Sequence, residues 1–326
     1  MQKPFRLLTA FILLLVSSGC SEDLQVVLPG PPIPVIFGVF DTGDSIHYIK
    51  LSKSFSGFSN PYQLASENSN VFYDDARIYL YGYNGTHRSY FEKITQVPRE
   101  TGYFPRLPNE YYALERKLNP GYYHVTVLLP EEDDTLTAQF TLLSELEVLQ
   151  PRKGMTRFYF YEDPTVFAWK PHPGAGLYEI SFSLIYEEVL KTGYAGKKTI
   201  THSRQLRPGH LEFERDRYNY RYYSDPFFAY LSTQVKPDDE VDYRKPLELS
   251  IRITAADTVL ARYINWYGLE IDDKINPNGN IPGAIGVIGS IYTVTFPGLS
   301  LSNRSQDSLI KGHYTRDLGF VGNSEW

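Results

Sequence analysis

"PLELSIRITAA", residues 246–256, is the stretch on which the fold turns. Leu247, Leu249, Ile251 and Ile253 alternate with Glu248, Ser250, Arg252 and Thr254. Successive side chains of an extended chain point to opposite faces, so this period of two describes a strand with one apolar and one polar face. The same pattern stands upstream in "TVFAWKPHPGAGLYEISFSLIYEE" (165–188), where Tyr178, Ile180, Phe182, Leu184 and Tyr186 share a face.

Working outward, short strand-like runs broken by turn residues fill the chain from Val35 onward. "HYIKLSKSF" (47–55) and "RIYLYGY" (77–83) are β-rich, and Asn84-Gly85 is a tight-turn signal. In "NPGYYHVTVLLP" (119–130) a Pro-Gly turn leads to Tyr123, Val125, Val127 and Leu129 on one face, and "DTLTAQFTLL" (134–143) follows as a further strand. The expected architecture is mostly β, with two consecutive β-sandwich domains. An Ig-like sandwich occupies 35–148 and a fibronectin type III-like domain 149–326. The order Trp169, Pro, Gly-Ala, Tyr178, Ile180 resembles the B-to-C strand region of fibronectin type III sandwiches, which implies a core position for the Trp. One helix is expected near 255–268. Thr254 and Asp257 have capping-box spacing, and Val259, Leu260, Tyr263, Ile264 and Tyr267 then recur at helical period up to Gly268. Gly283, Gly286 and Gly289 lack GxGxxG spacing and lead into a strand, so they read as a tight bend against the sheet rather than a phosphate loop.

Composition narrows the function. A chain of 326 residues is long enough for two domains, and 42% hydrophobic with 21% charged residues describes a packed protein. The net charge is −6 without any Lys/Arg block, so the counterion exchange that drives nucleic-acid binding has no surface to use. Two Met and one Cys leave little sulfur for metal or redox chemistry.

That one cysteine stands near the start. Lys3 and Arg6 precede Leu7–Val16, apolar apart from Thr9, which has the form of a secretory signal peptide over 1–19. The run is too short to span a bilayer, which takes about 20 apolar residues. Ser17-Ser18-Gly19-Cys20 then resembles the lipobox of bacterial lipoproteins, with Ser17 where Leu is usual. The resemblance implies cleavage before Cys20 and attachment of Cys20 to outer-membrane lipid. Two or more acyl chains give the firm hold that one chain does not. Ser21, Glu22 and Asp23 resemble the export signal that sends such lipoproteins to the cell surface, and 20–34 forms a tether with the proline-dense "LPGPPIP" (28–34) as its spacer.

Lipobox, "PGYYHVTV" strand, Trp/Gly-Ala/Tyr segment and the "NIPGAIGVIGS" close together resemble a Bacteroidota outer-membrane lipoprotein family of unknown function, often encoded beside TonB-dependent receptors. The resemblance spans most of 20–300. It implies location and neighbourhood: a lipid-anchored binding or accessory protein with a β-barrel receptor as partner. An adhesive, pilus-anchor-like protein is the alternative, and a glycan-active hydrolase the third.

Chemistry is sparsely written. The seven histidines have no zinc spacing, GxSxG is absent, and no cofactor motif occurs. The carboxylate runs Asp74/Asp75, Asp238/Asp239/Glu240 and Asp272/Asp273 lie beside turn residues. The densest Tyr/Arg stretch is "ERDRYNYRYYSDPFFAYL" (214–231). Read as extended, it places Tyr218, Tyr220 and Tyr222 on one face and Arg217, Arg221 and Tyr223 on the other. Tyr and Arg are enriched where partners bind, so these six form a candidate partner or ligand patch; the plainer reading is a strand covering the edge of the core. Asp-Ser/Thr-apolar triplets mark Ser45, Thr135 and Ser308, more weakly Thr258, as candidate O-glycosylation sites through resemblance to the acceptor pattern of Bacteroidota envelope proteins.

Overall fold

The structure is a computed structural model that describes residues 31–54, 60–82, 88–97, 109–160, 164–267 and 279–322. The expectations for the signal peptide, Cys20, Ser21, Glu22, Asp23, Asn84-Gly85, His87, Gly268 and Asp272/Asp273 lie outside the described residues.

The protein is mostly β. Its first half supplies β1 (Pro34–Asp41), β2 (Ile46–Lys53), β3 (Arg77–Gly82), β4 (Arg88–Val97), β5 (Asn109–Glu115), β6 (Gly121–Leu129) and β7 (Asp134–Leu142). The second half opens with β8 (Val148–Gln150), β9 (Arg157–Phe158), β10 (Thr165–Trp169), β11 (Ala175–Leu190) and β12 (Gly193–Leu206). It ends with β13 (Glu212–Glu214), β14 (Arg217–Tyr222), β15 (Val241–Asp257) and β16 (Ile285–Leu301). Twelve strands form one mixed sheet in the order β12-β11-β15-β16-β1-β2-β5-β4-β3-β6-β7, with β9 paired to β16 at one side. A second sheet has the order β13-β14-β10-β8.

The two halves therefore share a sheet. β1 runs parallel to β16, with Val35 opposite Ile285 and Asp41 opposite Ile291, and antiparallel to β2 on its other side. This junction was not part of the expectation of two consecutive sandwiches. Each half nevertheless has its own core. Ile36, Phe40, Ile78, Phe91, Val125, Phe140 and their neighbours form one, joined by Ile281, Ala284 and Ile288. Trp169, Tyr178, Ile180, Phe182, Ile251 and Ile253 lie in the other, between the large sheet and the small one. Tyr222 of the small sheet approaches Phe182 of the large one at 4.4 Å between ring centroids. Trp169 is fully buried, as its resemblance to the fibronectin Trp implies.

The opening strand departs from strict alternation at one residue. β15 pairs with β11 as Glu248 opposite Ile185 and then Pro246 opposite Tyr186, which leaves Leu247 as the extra residue of a bulge. A one-residue slip exchanges the two faces, so Leu247 is only half-buried while Pro246 and Arg244 turn inward.

The helix forms at Thr258–Tyr267, on the face of the large sheet opposite both cores. Its cap differs from the expected box. Asp257 is itself the N-cap, its Oδ1 accepting from Leu260 N at 2.7 Å, whereas Thr254 stays in β15 and bonds Thr293 across the ladder. Leu260, Ala261 and Tyr263 pack on Leu177, Ala256 and Val287. Glycine makes that approach possible. A Cβ on Gly176 would fall 2.8 Å from the Ala261 Cβ, and one on Gly289 would fall 2.9 Å from the Leu260 Cβ.

Candidate functional site

The candidate patch at 214–231 divides when placed in the fold. β14 pairs with β10 so that Tyr218, Tyr220 and Tyr222 lie opposite Trp169, Phe167 and Thr165. Tyr222 is 1% exposed, and the rings of Tyr218 and Trp169 lie 6.4 Å apart. These three tyrosines cover the core, and desolvation pushes the Tyr222 phenol far above its usual pKa. Arg221 is exposed and meets Glu212 at 3.4 Å. Arg217 is half-buried, with no hydrogen-bond partner for its Nε among the described residues. Tyr223 is exposed just past the strand, and the chain is not extended beyond it: the helix Asp225–Gln234 begins there, with Pro226 in its first turn.

Arg221 has a neighbour the sequence did not suggest. It lies opposite Val166 of β10, and Val166 lines a groove of about 710 Å³. The groove's floor is Phe158 and Phe167, two rings of the second core, and Pro151, Met155 and Val166 form its apolar walls. Arg152 and Lys153 stand exposed at its rim, with Lys153 3.5 Å from Glu145. These residues all come from within 150–167, but they form a groove only when β16 seats β9 and β14 seats β10.

A second cavity, about 550 Å³ and polar, has a buried carboxylate at its floor. Glu188 bonds Lys198 and accepts from Arg244 Nε at 2.8 Å. Burial raises the Glu188 carboxyl, but the two cations outweigh it and hold it below its usual pKa. Arg244 also ties down the end of the chain, through its guanidinium to the Leu318 carbonyl and its backbone to Gly319 and Val321.

The large sheet carries a further surface on the face that bears the helix. Phe37 and Val39 of β1, Ile46 and Tyr48 of β2, and Tyr90 and Ile94 of β4 are 38–49% exposed there. Tyr48 meets Tyr111 of β5 edge-on at 6.4 Å, and Phe37 meets Tyr263 of the helix at 6.0 Å. Scattered apolar residues are ordinary on a surface, but six on three strands of one sheet face form a patch.

The titratable groups have structural surroundings. Ser144 Oγ and His172 Nε2 are 2.8 Å apart, a pairing that no motif marks. Gly174 N donates to His172 Nδ1, so the ring proton belongs on Nε2 and points at the serine. A serine nucleophile needs the opposite tautomer, with Nε2 accepting. His47 is 2% exposed and stacked on Phe40. Desolvation holds it below its usual pKa, against the Arg116 backbone carbonyl and the opposing pull of Asp44 and Asp41. The backbone N–H groups of Asp74 and Asp75 donate to Glu131, and Asp238 accepts from Glu240 N within its turn. Among the described residues no group of three His, Cys, Asp or Glu is placed to hold a metal. Of the candidate acceptors, Ser45 is exposed in the β1–β2 turn and Thr135 near the start of β7, with Thr258 exposed at the helix start. Ser308 lies on the helix Asn303–Lys311, its Oγ donating to the Arg304 carbonyl.

No protein-family model and no curated protein matches the chain. Among solved structures it is similar to a DUF4785 family protein from Legionella pneumophila subsp. pneumophila str. Philadelphia 1, at 10% identity and a TM-score of 0.17, covering 64% of this chain and 48% of that one. It is also similar to the BSP domain of a biofilm associated protein, at 11% identity and a TM-score of 0.15, covering 81% of this chain and 58% of that one. The chain thus spans about half the length of the first and under two thirds of the second. Likenesses of this size carry neither fold nor function across, and the β-rich architecture rests on the chain's own strands.

Proposed function

We propose that this chain is a non-catalytic binding protein, held at the outer membrane by lipid on Cys20, that assists a β-barrel receptor of the TonB-dependent type. In this reading the two halves are an Ig-like and a fibronectin type III-like sandwich, each around its own core and coupled through β1 and β16. The observation that carries it is the patch of Phe37, Val39, Ile46, Tyr48, Tyr90 and Ile94. It begins on the strand that directly follows the proline-dense tether, which is where a partner embedded in the same membrane would meet the protein. Large exposed apolar patches mark interaction surfaces, and tyrosines suit them by joining apolar area to a polar end.

The test is co-purification. Extracted in gentle detergent, the lipidated protein is expected to bring a β-barrel receptor with it, and Tyr48→Glu combined with Ile94→Glu is expected to release that receptor while the protein stays folded. Recovery of the wild type without a receptor, or unchanged recovery from the double variant, contradicts the reading. Cys20→Ala tests the anchor separately: fatty-acid labelling is expected to vanish.

A further inference from the structure

We infer that the groove beside β10 is a binding site for a small amphiphilic anion, a single apolar chain or ring system ending in a carboxylate. Its volume of about 710 Å³ lies within the span of small-ligand sites, roughly 300–1,000 Å³. The floor is aromatic and continuous with the second core, so an apolar tail entering it meets Phe158 and Phe167 rather than water. Val166 is 40% exposed although flanked in sequence by buried Phe167, and a ligand tail would remove that apolar surface from solvent. Met155, with its unbranched and polarizable side chain, suits a wall that must fit more than one tail shape.

The rim selects the head group. Arg152 and Lys153 are adjacent and exposed at the groove's mouth, and Arg221 lies across the ladder from Val166. The carboxylates that accompany them are weakly held. Lys153–Glu145 at 3.5 Å and Arg221–Glu212 at 3.4 Å are both between largely exposed side chains, the class of ion pair that solvent screening leaves nearly without net value. A ligand carboxylate anchored by its own buried tail can therefore displace them. The site lies along residues 150–167 between β8, β9 and β10, whereas the proposed receptor surface lies on β1, β2 and β4, so either can fail without the other.

The experiment uses the full mature chain carrying Cys20→Ala, which keeps detergent and bilayer out of the assay, and cis-parinaric acid as the fluorescent probe. Saturable binding is expected. Val166→Glu is expected to abolish it, and the Arg152→Ala/Lys153→Ala double substitution to weaken it by about tenfold, as loss of a charge-assisted hydrogen bond implies. Parinaryl alcohol, with the same tail and no charge, is expected to bind no more weakly to that double variant than to the wild type. All three substituted side chains are exposed, so folding is expected to survive, and an unchanged thermal midpoint checks it. Absence of saturable binding, or binding indifferent to Val166→Glu, overturns the site. Equal weakening of acid and alcohol overturns the anionic specificity.

Discussion

One face of the large sheet is treated in two ways. Across β11, β15 and β16 it is covered by the helix Thr258–Tyr267, and across β1, β2 and β4 it meets solvent through Phe37, Val39, Ile46, Tyr48, Tyr90 and Ile94. The difference follows from the side chains presented. Under the helix the sheet shows Gly176, Ala256, Val287 and Gly289, small enough for backbone to come close. On the open side it presents large side chains that would hold a helix away. Bulky apolar residues over which no described element of the same half packs are what the partner surface proposed above requires.

Gly289→Leu should break the covered region most severely. With a Cβ already at 2.9 Å, the helix must lift, and destabilisation of about 3 kcal/mol is expected in urea unfolding. Next comes the cap. Burial pushes the Asp257 carboxyl up to about 6, in spite of the hydrogen bonds from Leu260 and Ser290 that favour its charge. A folded pKa raised from 3.8 means the native state holds the proton longer than the unfolded chain. Its contribution is complete below pH 3.8 and is lost as pH rises through about 6, amounting to about 3 kcal/mol at most. Asp257→Asn removes the titration, so the stability of wild type relative to this variant should fall between about pH 4 and 6 and stay level above.

His47, on the inner face of β2, gives the opposite slope and a smaller effect. Its folded pKa lies below 6.5, so the unfolded chain takes up the proton first and stability is lost as pH falls below that value. His47→Leu should abolish the loss, and its advantage over wild type should grow as unfolding is measured from pH 7 toward pH 5. The smallest change is expected on the open region, where Tyr48→Ser should alter unfolding free energy by no more than about 0.5 kcal/mol. A much larger loss there would mean that this face supports the fold, and the division drawn between the two regions would collapse.

The strands were legible because their evidence is local. Tyr178 through Tyr186 and Val125 through Leu129 alternate in sequence and are buried in alternation, apart from Ser181, which is buried on the other face. What sequence could not convey depends on partners far along the chain. Leu247 fails to face inward because β11 pairs around it, a bulge with no mark in "PLEL" itself. Tyr222 fits either a partner patch or the core edge in sequence, and it is β10 that places it over Phe182. The groove is lined from within residues 150–167, but it takes shape only when β16 seats β9 and β14 seats β10, and the Glu188–Arg244 pair joins strands that are remote in sequence. The helix was found by its period, yet its seat at Gly176 and Gly289 needed the tertiary contact to give those glycines a purpose.

The pairing of β1 with β16 has a mechanical side. β1 lies mid-sheet, laddered to β2 on one flank and to β16 on the other. Tension drawn along the strand axis through the chain ahead of Pro34 loads both ladders in shear, so that many hydrogen bonds must yield together. A terminal strand at a sheet margin would instead peel open one bond at a time. The first described strand is thus a sound point of attachment for a protein that must hold its shape while its leading end is pulled.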